Sequence, residues 1–196
     1  SNNINLEYLD SEEFKKDGQS LRGSIMIVGP LLTRFGKGCI PKPGGDKIGR
    51  RRLDTHFQGL VKLGGKFSYK RKDHFYTVKA DKLKATYILL DEASVTGTAN
   101  ILMAAVLTEG KTTIYNAACE PYIQQLCKML INMGANINGM GSNLLIIEGV
   151  KELKGTEHTV LPDMIEIGSW IGLAAMTKSE ILIKNVSWEN LGQIPN

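Results

Sequence analysis

Apolar residues recur at helical spacing over residues 96–109, with Ile101, Leu102, Ala105 and Val106 on the stripe, and Gly110 ends the run. Such a stripe belongs in a core rather than at a cofactor. A strand is predicted over 112–116, then a helix over 121–133. That helix opens on Pro121, whose missing N–H is harmless at the first helical position, and leaves through Gly134. Alternating apolar and polar positions predict strands at 135–138, 144–148 and 157–161, the first two joined by Gly139-Met140-Gly141-Ser142-Asn143. The pattern then repeats. Leu60-Val61-Lys62-Leu63-Gly64-Gly65-Lys66-Phe67 aligns with Leu130-Ile131-Asn132-Met133-Gly134-Ala135-Asn136-Ile137, so that Gly134 lies 70 residues after Gly64. Ile181-Leu182-Ile183-Lys184-Asn185 echoes Thr112-Thr113-Ile114-Tyr115-Asn116 at an offset of 69.

The upstream copy reads as helix 23–35, a strand near 38–41, helix 54–63, and strands at 66–70, 75–79 and 85–90. A third copy begins with helix 163–176 and strand 181–184, and the sequence stops where its second helix is expected. The first copy lacks an opening strand. Together these predict a piece of a longer polypeptide: residues 1–162 form a domain of two repeat units, the first incomplete, and 163–196 start a further, truncated unit. Helices alternating with sheet in like units predict an α/β (α+β) fold.

Composition narrows the function classes. With 196 residues, 42% hydrophobic and 22% charged, the chain can bury a core, which disfavours disorder and fibrous structure. No apolar run approaches the roughly 20 residues of a membrane-spanning helix, and Ser1-Asn2-Asn3-Ile4-Asn5-Leu6 lacks the layout of a signal peptide, so a soluble cytoplasmic protein is expected. Cys39, Cys119 and Cys127 are odd in number and without metal-ligand spacing; Cys119 and Cys127 are expected to act as small buried hydrophobes. His56, His74 and His158 are too scattered for a metal site. The net charge of +4 suits a phosphate-bearing small molecule as well as it suits nucleic acid.

Three segments could carry chemistry. Pro41-Lys42-Pro43-Gly44-Gly45-Asp46-Lys47-Ile48-Gly49-Arg50-Arg51-Arg52 is a loop with stiff shoulders and a permissive tip. Its three arginines precede the helix that starts near Asp54, where cations are unfavourable unless an anion joins them. A solvated basic loop is the alternative reading. In Leu90-Asp91-Glu92-Ala93-Ser94-Val95-Thr96-Gly97-Thr98 a strand gives way to a helix; Ser94 suits an N-cap, and free N–H groups there suit a phosphate. Tyr69-Lys70-Arg71-Lys72-Asp73-His74-Phe75-Tyr76 interleaves bases with aromatics, as single-stranded nucleic-acid surfaces do, but reads first as a hairpin tip. Glu120, Asp163 and Glu166 stand at helix starts, where the dipole alone accounts for them.

A family resemblance runs through nearly the whole chain in one register. Arg22-Gly23-Ser24-Ile25, Gly29-Pro30-Leu31-Leu32, Arg34-Phe35-Gly36, Pro43-Gly44-Gly45, Ile48-Gly49, Arg51, Leu53-Asp54 and His56, then Asn116-Ala117-Ala118, Glu120-Pro121, Gly134-Ala135, Ile147-Glu148-Gly149-Val150 and Leu161-Pro162-Asp163, resemble the UDP-N-acetylglucosamine 1-carboxyvinyltransferases. The resemblance implies an enolpyruvyl transferase inside-out barrel built from repeated β-α-β-α-β-β units. It implies transfer of the enolpyruvyl group of phosphoenolpyruvate to the 3-hydroxyl of UDP-N-acetylglucosamine with release of phosphate, in peptidoglycan synthesis, without metal or organic cofactor.

By position, Asp46 matches the lid residue that donates a proton, a cysteine in most members and an aspartate in a minority. A carboxyl with a raised pKa can do the same work, whereas alkylation by fosfomycin needs the thiolate, so resistance is implied. Arg22 and Arg51 match arginines that hold phosphate groups, Arg52, Leu53, Asp54, Thr55 and His56 match contacts to UDP-N-acetylglucosamine, and Glu92, Ala93, Ser94 and Val95 match the uridine-diphosphate contact. Two positions depart from the family: Glu92 stands where lysine is common and Thr96 where glycine is common. The family's N-terminal lysine-asparagine pair and the acid that serves as base toward the sugar hydroxyl have no counterpart, which implies that this stretch is inactive alone. Its expected partners are the two substrates and the remainder of its own chain, with neither nucleic acid nor membrane. The shikimate-pathway enolpyruvyl transferase shares the architecture, but Pro43-Gly44-Gly45-Asp46 and the segment 51–56 argue against it. The alternative of another class is a non-catalytic RNA- or phosphate-binding module.

Overall fold

Gly64 and Gly134 leave their helices at φ 101° and 103°, a left-handed conformation that glycine enters without steric cost. The hydrogen bonds around them are duplicates: Gly64 N–H to Val61 O and Gly134 N–H to Ile131 O, then Gly65 N–H to Leu60 O and Ala135 N–H to Leu130 O, all 2.9 Å. Lys84 N–H to Leu63 O and Lys154 N–H to Met133 O, both 2.8 Å, continue the series. The sequence period is therefore a period in backbone geometry.

The computed structural model describes residues 4–45, 49, 52–186, 188–192 and 194, and its contacts separate Ser1–Thr156 from Glu157–Asn196. In the first unit, α1 (Glu12–Ser20) is followed by a 3-10 turn (Arg22–Ile27), α2 (Val28–Phe35), β1 (Lys37–Pro41), α3 (Asp54–Lys62), β2 (Lys66–Lys70) and β3 (Phe75–Lys79). The second copy comprises β4 (Tyr87–Leu89), α4 (Val95–Ala105), β5 (Lys111–Tyr115), α5 (Pro121–Asn132), β6 (Asn136–Asn138) and β7 (Leu144–Glu148). One sheet has the order β1-β3-β2, all antiparallel; the other has β4-β5-β7-β6, with β4 parallel to β5 and the remainder antiparallel. The trio β5-β7-β6 repeats β1-β3-β2, and β4 has no counterpart in the first copy among the described residues.

Apolar faces bury against one another along α2, α3 and α4, where Leu32, Leu60, Ile101 and Leu102 are almost wholly hidden. On β7, Leu145 and Ile147 turn inward while Leu144 and Glu148 stay exposed, the period-two signature of a half-buried strand. Two close approaches set the helix packing: a Cβ at Gly29 would strike the Asn100 carbonyl, and one at Gly59 would strike the Ile101 side chain.

Several expectations are corrected. Helix α1 was not foreseen, although Ser11 caps it by accepting from the Phe14 N–H at 3.1 Å and Glu12 and Glu13 occupy its first turn. The helix expected over 23–35 becomes regular only at Val28, because Pro30 cannot donate to the Met26 carbonyl and its ring crowds that group. Helix α4 ends at Ala105, four residues early, where the Thr108 hydroxyl donates to the Ala104 carbonyl at 2.9 Å. Cys39 and Cys127 are buried, but Cys119 is exposed in the bend before α5, off that helix's apolar stripe; burial pushes the Cys127 thiol up to about 11.

In the second unit, Asp163 caps α6 (Met164–Thr177), accepting from the Ile165 and Glu166 N–H groups at 2.8 and 3.4 Å. Residues 157–161 and 181–184 are not strands, correcting both expectations: a strand exists only within a ladder, and neither segment has a ladder partner among the described residues. Asn185 nonetheless keeps φ 59°, repeating Asn116 at φ 60°. Among the described residues no helix is long and apolar enough to cross a membrane, and no cluster of His, Cys, Asp and Glu could hold a metal ion.

Candidate functional site

Helices α3 and α4 start close together, and the segments that lead into them meet. Asp91, in the turn after β4, is the hub. Its Oδ2 accepts from Arg52 Nη2 at 2.9 Å, and its Oδ1 accepts from the Thr55 hydroxyl at 2.9 Å. Thr55 is 2% exposed and also lies 3.2 Å from Glu92 Oε1, while Arg52 Nε donates to Asp54 Oδ2 at 2.9 Å. Arg22, at the start of the 3-10 turn, reaches the Arg52 carbonyl with Nη2 at 3.1 Å. The Asp54 hydrogen bond, followed by the charge of Asp91, raises the Arg52 pKa further above neutrality. Ion pairs this exposed add little stability, so the arrangement orients the two segments more than it holds them.

Ser94 caps α4, accepting from the Gly97 N–H at 3.1 Å, with Ala93 and Val95 on either side. Leu53 packs on the core at the entry to α3, and Asp54 occupies the first turn, where the dipole favours an acid. The backbone therefore brings Arg22, the run 52–56 and the turn 92–95 to one place. Asp46 and Arg51 lie outside the described residues. The preceding part of the loop is anchored: Lys42 N–H donates to the His74 carbonyl at 2.7 Å, Gly45 sits at φ 93° beside Arg22, and a Cβ on Gly44 would collide with the Gln19 carbonyl.

His56 differs from the rest of its run. It is 2% exposed, its Nδ1 lies 3.1 Å from Asn100 Nδ2, and its Nε2 lies 3.2 Å from Thr96 Oγ1. The backbone fixes the roles. Gly29 N–H can only donate, so the atom 2.7 Å away is the Asn100 carbonyl oxygen, and the Asn100 amide nitrogen donates to Ile25 O at 3.0 Å and to His56 Nδ1. The imidazole proton therefore sits on Nε2 and is donated to Thr96. The side chain faces the core, so its resemblance-implied contact to a nucleotide sugar would have to pass through another group.

Burial, and secondarily the charge of Arg22, lowers the His56 pKa to about 4 from 6.5. A histidine held neutral in the fold but protonated when unfolded contributes stability fully above pH 6.5, and this is lost as pH falls toward 4. Chemical denaturation from pH 7 to pH 4 is expected to show a loss of about 3 kcal/mol that His56→Gln removes. An unchanged slope in that variant would mean that other groups dominate the acid limb.

Sequence reasoning passed over Asp91 and Asn100 as site residues. The signal for Asn100 was available: a polar residue between Ala99 and Ile101 on an apolar stripe must be hydrogen-bonded if buried, and it is fully buried. The Tyr69 and Tyr76 rings stack on each other across the hairpin at 4.7 Å, and the Tyr69 hydroxyl lies 2.9 Å from His74 Nδ1, as befits a hairpin tip. Two grooves, of about 740 and 640 Å³, are lined by other residues: Met103, Met129 and Leu153 in one, Gly36, Ala80 and Glu109 in the other.

A family model described as EPSP synthase (3-phosphoshikimate 1-carboxyvinyltransferase) matches residues 7–194. A UDP-N-acetylglucosamine 1-carboxyvinyltransferase of Bacteroides fragilis is 68% identical over 193 residues, 98% of this chain and 44% of the relative. The protein of the same name in Porphyromonas gingivalis is 64% identical over 195 residues, 100% of this chain and 45% of the relative. The chain thus spans less than half the length of the curated relatives it matches. Among solved structures, the enolpyruvyl transferase NikO from Streptomyces tendae superposes with a TM-score of 0.64 at 20% identity, over 77% of this chain and 36% of that one. The fold is that of the enolpyruvyl transferases.

Proposed function

This chain belongs to the EPSP synthase family, and from that premise we propose that it is part of a UDP-N-acetylglucosamine enolpyruvyl transferase acting in the cytoplasm in peptidoglycan synthesis. The observation that carries the reading is the junction of residues 52–56 with the turn 91–96 through Asp91 and Thr96. These segments, 35 or more residues apart and each resembling a nucleotide-sugar contact, are joined to one another. The identity of 68% to a relative bearing that enzyme's name supports the same substrates.

The proposed reaction adds and then eliminates: a proton from Asp46, on the loop beyond Gly45, goes to C3 while the sugar 3-hydroxyl oxygen, giving its proton to a base in the remainder of the protein, joins C2. Phosphate then leaves C2 as C3 gives up a proton, which restores the double bond. Arg22 and Arg51 are proposed to hold phosphate groups. Residues 1–162, as two repeat units, supply the lid and one wall of the site; the opposing residues belong to the rest of the protein, so the chain alone is proposed to be inactive.

The test uses the full-length protein. Phosphate release is expected only when phosphoenolpyruvate and UDP-N-acetylglucosamine are both present. The nucleotide sugar at a hundredfold excess over its Kd should stabilise the fold by about 2.7 kcal/mol. The absence of both release and stabilisation would sink the reading, and release with shikimate 3-phosphate in place of the nucleotide sugar would redirect it.

A further inference from the structure

We propose that the free edge of β2 is a docking site for an extended acidic segment of a protein partner, which joins the sheet as an added strand. In the order β1-β3-β2 the outer side of β2 has no ladder partner among the described residues, and all five residues of Lys66–Lys70 are exposed. An unpaired edge of this kind is a template for another chain. Its two faces differ in chemistry. Alternation puts Lys66, Ser68 and Lys70 on one side and Phe67 and Tyr69 on the other, the side of α3, where the Phe67 and Phe57 ring centroids are 4.7 Å apart and those of Tyr69 and Tyr76 also 4.7 Å. Phe67 and Tyr69 nonetheless stay 44% and 36% exposed.

The second repeat supplies the comparison. Across the first sheet, Lys37, Lys79 and Lys66 are register partners, so three cations stand in one row; among the described residues, Lys37 alone of the three pairs with an acid, Asp10 at 3.3 Å. Like charges directly opposite one another destabilise a sheet. The corresponding row in the second sheet is Lys111, Glu148 and Asn136, in which an acid faces a base and Asn136 Nδ2 donates to Glu148 Oε2 at 2.8 Å. Its edge strand β6 is shorter and turns Ile137 inward, at 8% exposure. The first repeat therefore keeps an uncompensated row and an exposed aromatic face where the second has neither. The charge selects the occupant. A second copy laid antiparallel on β2 would set Lys66 against Lys70, whereas a strand with acids at its first and fifth positions and apolar residues at its second and fourth answers both faces. Single-stranded RNA fits less well: the rings and the lysines lie on opposite faces, so one strand cannot stack its bases and pair its phosphates on a single surface.

The probe is an end-blocked, fluorophore-labelled peptide EVTVE, titrated with the full-length protein and read by anisotropy. Saturable binding is expected, weakened at least about tenfold when Lys66→Glu and Lys70→Glu are combined, and the charge-reversed peptide KVTVK should bind that double variant in preference to the parent. An added strand uses the amides on one side only. N-methylation of one alternate set of peptide amides should therefore abolish binding, while methylation of the other set is tolerated within about threefold. Absence of binding by the parent, an unchanged affinity in the double variant, or equal tolerance of both methylated sets overturns the proposal. So does tighter binding of oligouridylate than of EVTVE, or dimerisation of the parent that the double variant abolishes.

Discussion

Replacing Asp46 by alanine in the full-length enzyme is expected to lower kcat by at least about a hundredfold while leaving the Kd for UDP-N-acetylglucosamine within about threefold. Proton delivery to carbon is the step for which water is a poor substitute, because the acid must sit in line with C3 while the sugar oxygen approaches C2. A carboxyl enclosed beneath a closed lid is pushed toward its neutral, proton-bearing form, the form a general acid requires. Nucleotide-sugar binding is proposed to draw on residues 52–56 and 91–96, which are joined to each other through Asp91 and Thr96. Asp46→Cys supplies the complementary outcome: retained turnover together with time-dependent inactivation by fosfomycin, since a thiolate opens the epoxide far faster than a carboxylate does. Normal turnover in Asp46→Ala would remove the residue from the mechanism, and a cysteine variant indifferent to fosfomycin would place it outside the lid.

The second large effect is on stability. Asn100→Leu is expected to destabilise the fold by about 4 kcal/mol, read as a lower urea midpoint with an unchanged denaturant slope. Leucine has nearly the right volume, so the cost is not a cavity. It comes from the Gly29 N–H, the Ile25 carbonyl and His56 Nδ1, each of which would be left in the interior without its partner. An uncompensated buried polar group costs on the order of 1–3 kcal/mol. A loss below about 1 kcal/mol would mean that those groups find water or one another once the amide has gone.

Much of this fold was legible because its repeat is local. The helix exits at Gly64 and Gly134, the proline at the start of α5 and the alternation on β7 are rules satisfied within a few residues, and the structure keeps them. What was not legible depends on distant partners. Residues 157–161 and 181–184 alternate as strands do, yet alternation says only that a segment could sit in a sheet; whether it does depends on a neighbouring edge. Helix α1 was missed for the opposite reason: its core contacts are few, Phe14 and Gly18 being its buried residues, so its apolar stripe is faint. At the site, position identified the two segments through resemblance, but the inward turn of His56 and the central place of Asp91 arise from side chains that meet only after folding. The Glu92 departure from the family likewise acquires context from Thr55, 3.2 Å away.

Gly29 on α2 and Asn100 on α4 meet where the two repeats pack together, and they are unlike each other. One offers a bare backbone amide, the other an amide side chain that fills the space a Cβ would need. The pair works as a tenon in a mortise, and it can be assembled in only one order. Without an amide side chain on α4 the Gly29 N–H would stand idle, and with a larger residue at Gly29 the two helices could not close. The backbone thus descends from a symmetric plan while the side chains have abolished the symmetry. Each repeat carries in its central helix the address of the neighbour it must meet, and swapping or duplicating units in this protein would fail at that address before it failed anywhere in the hydrophobic core.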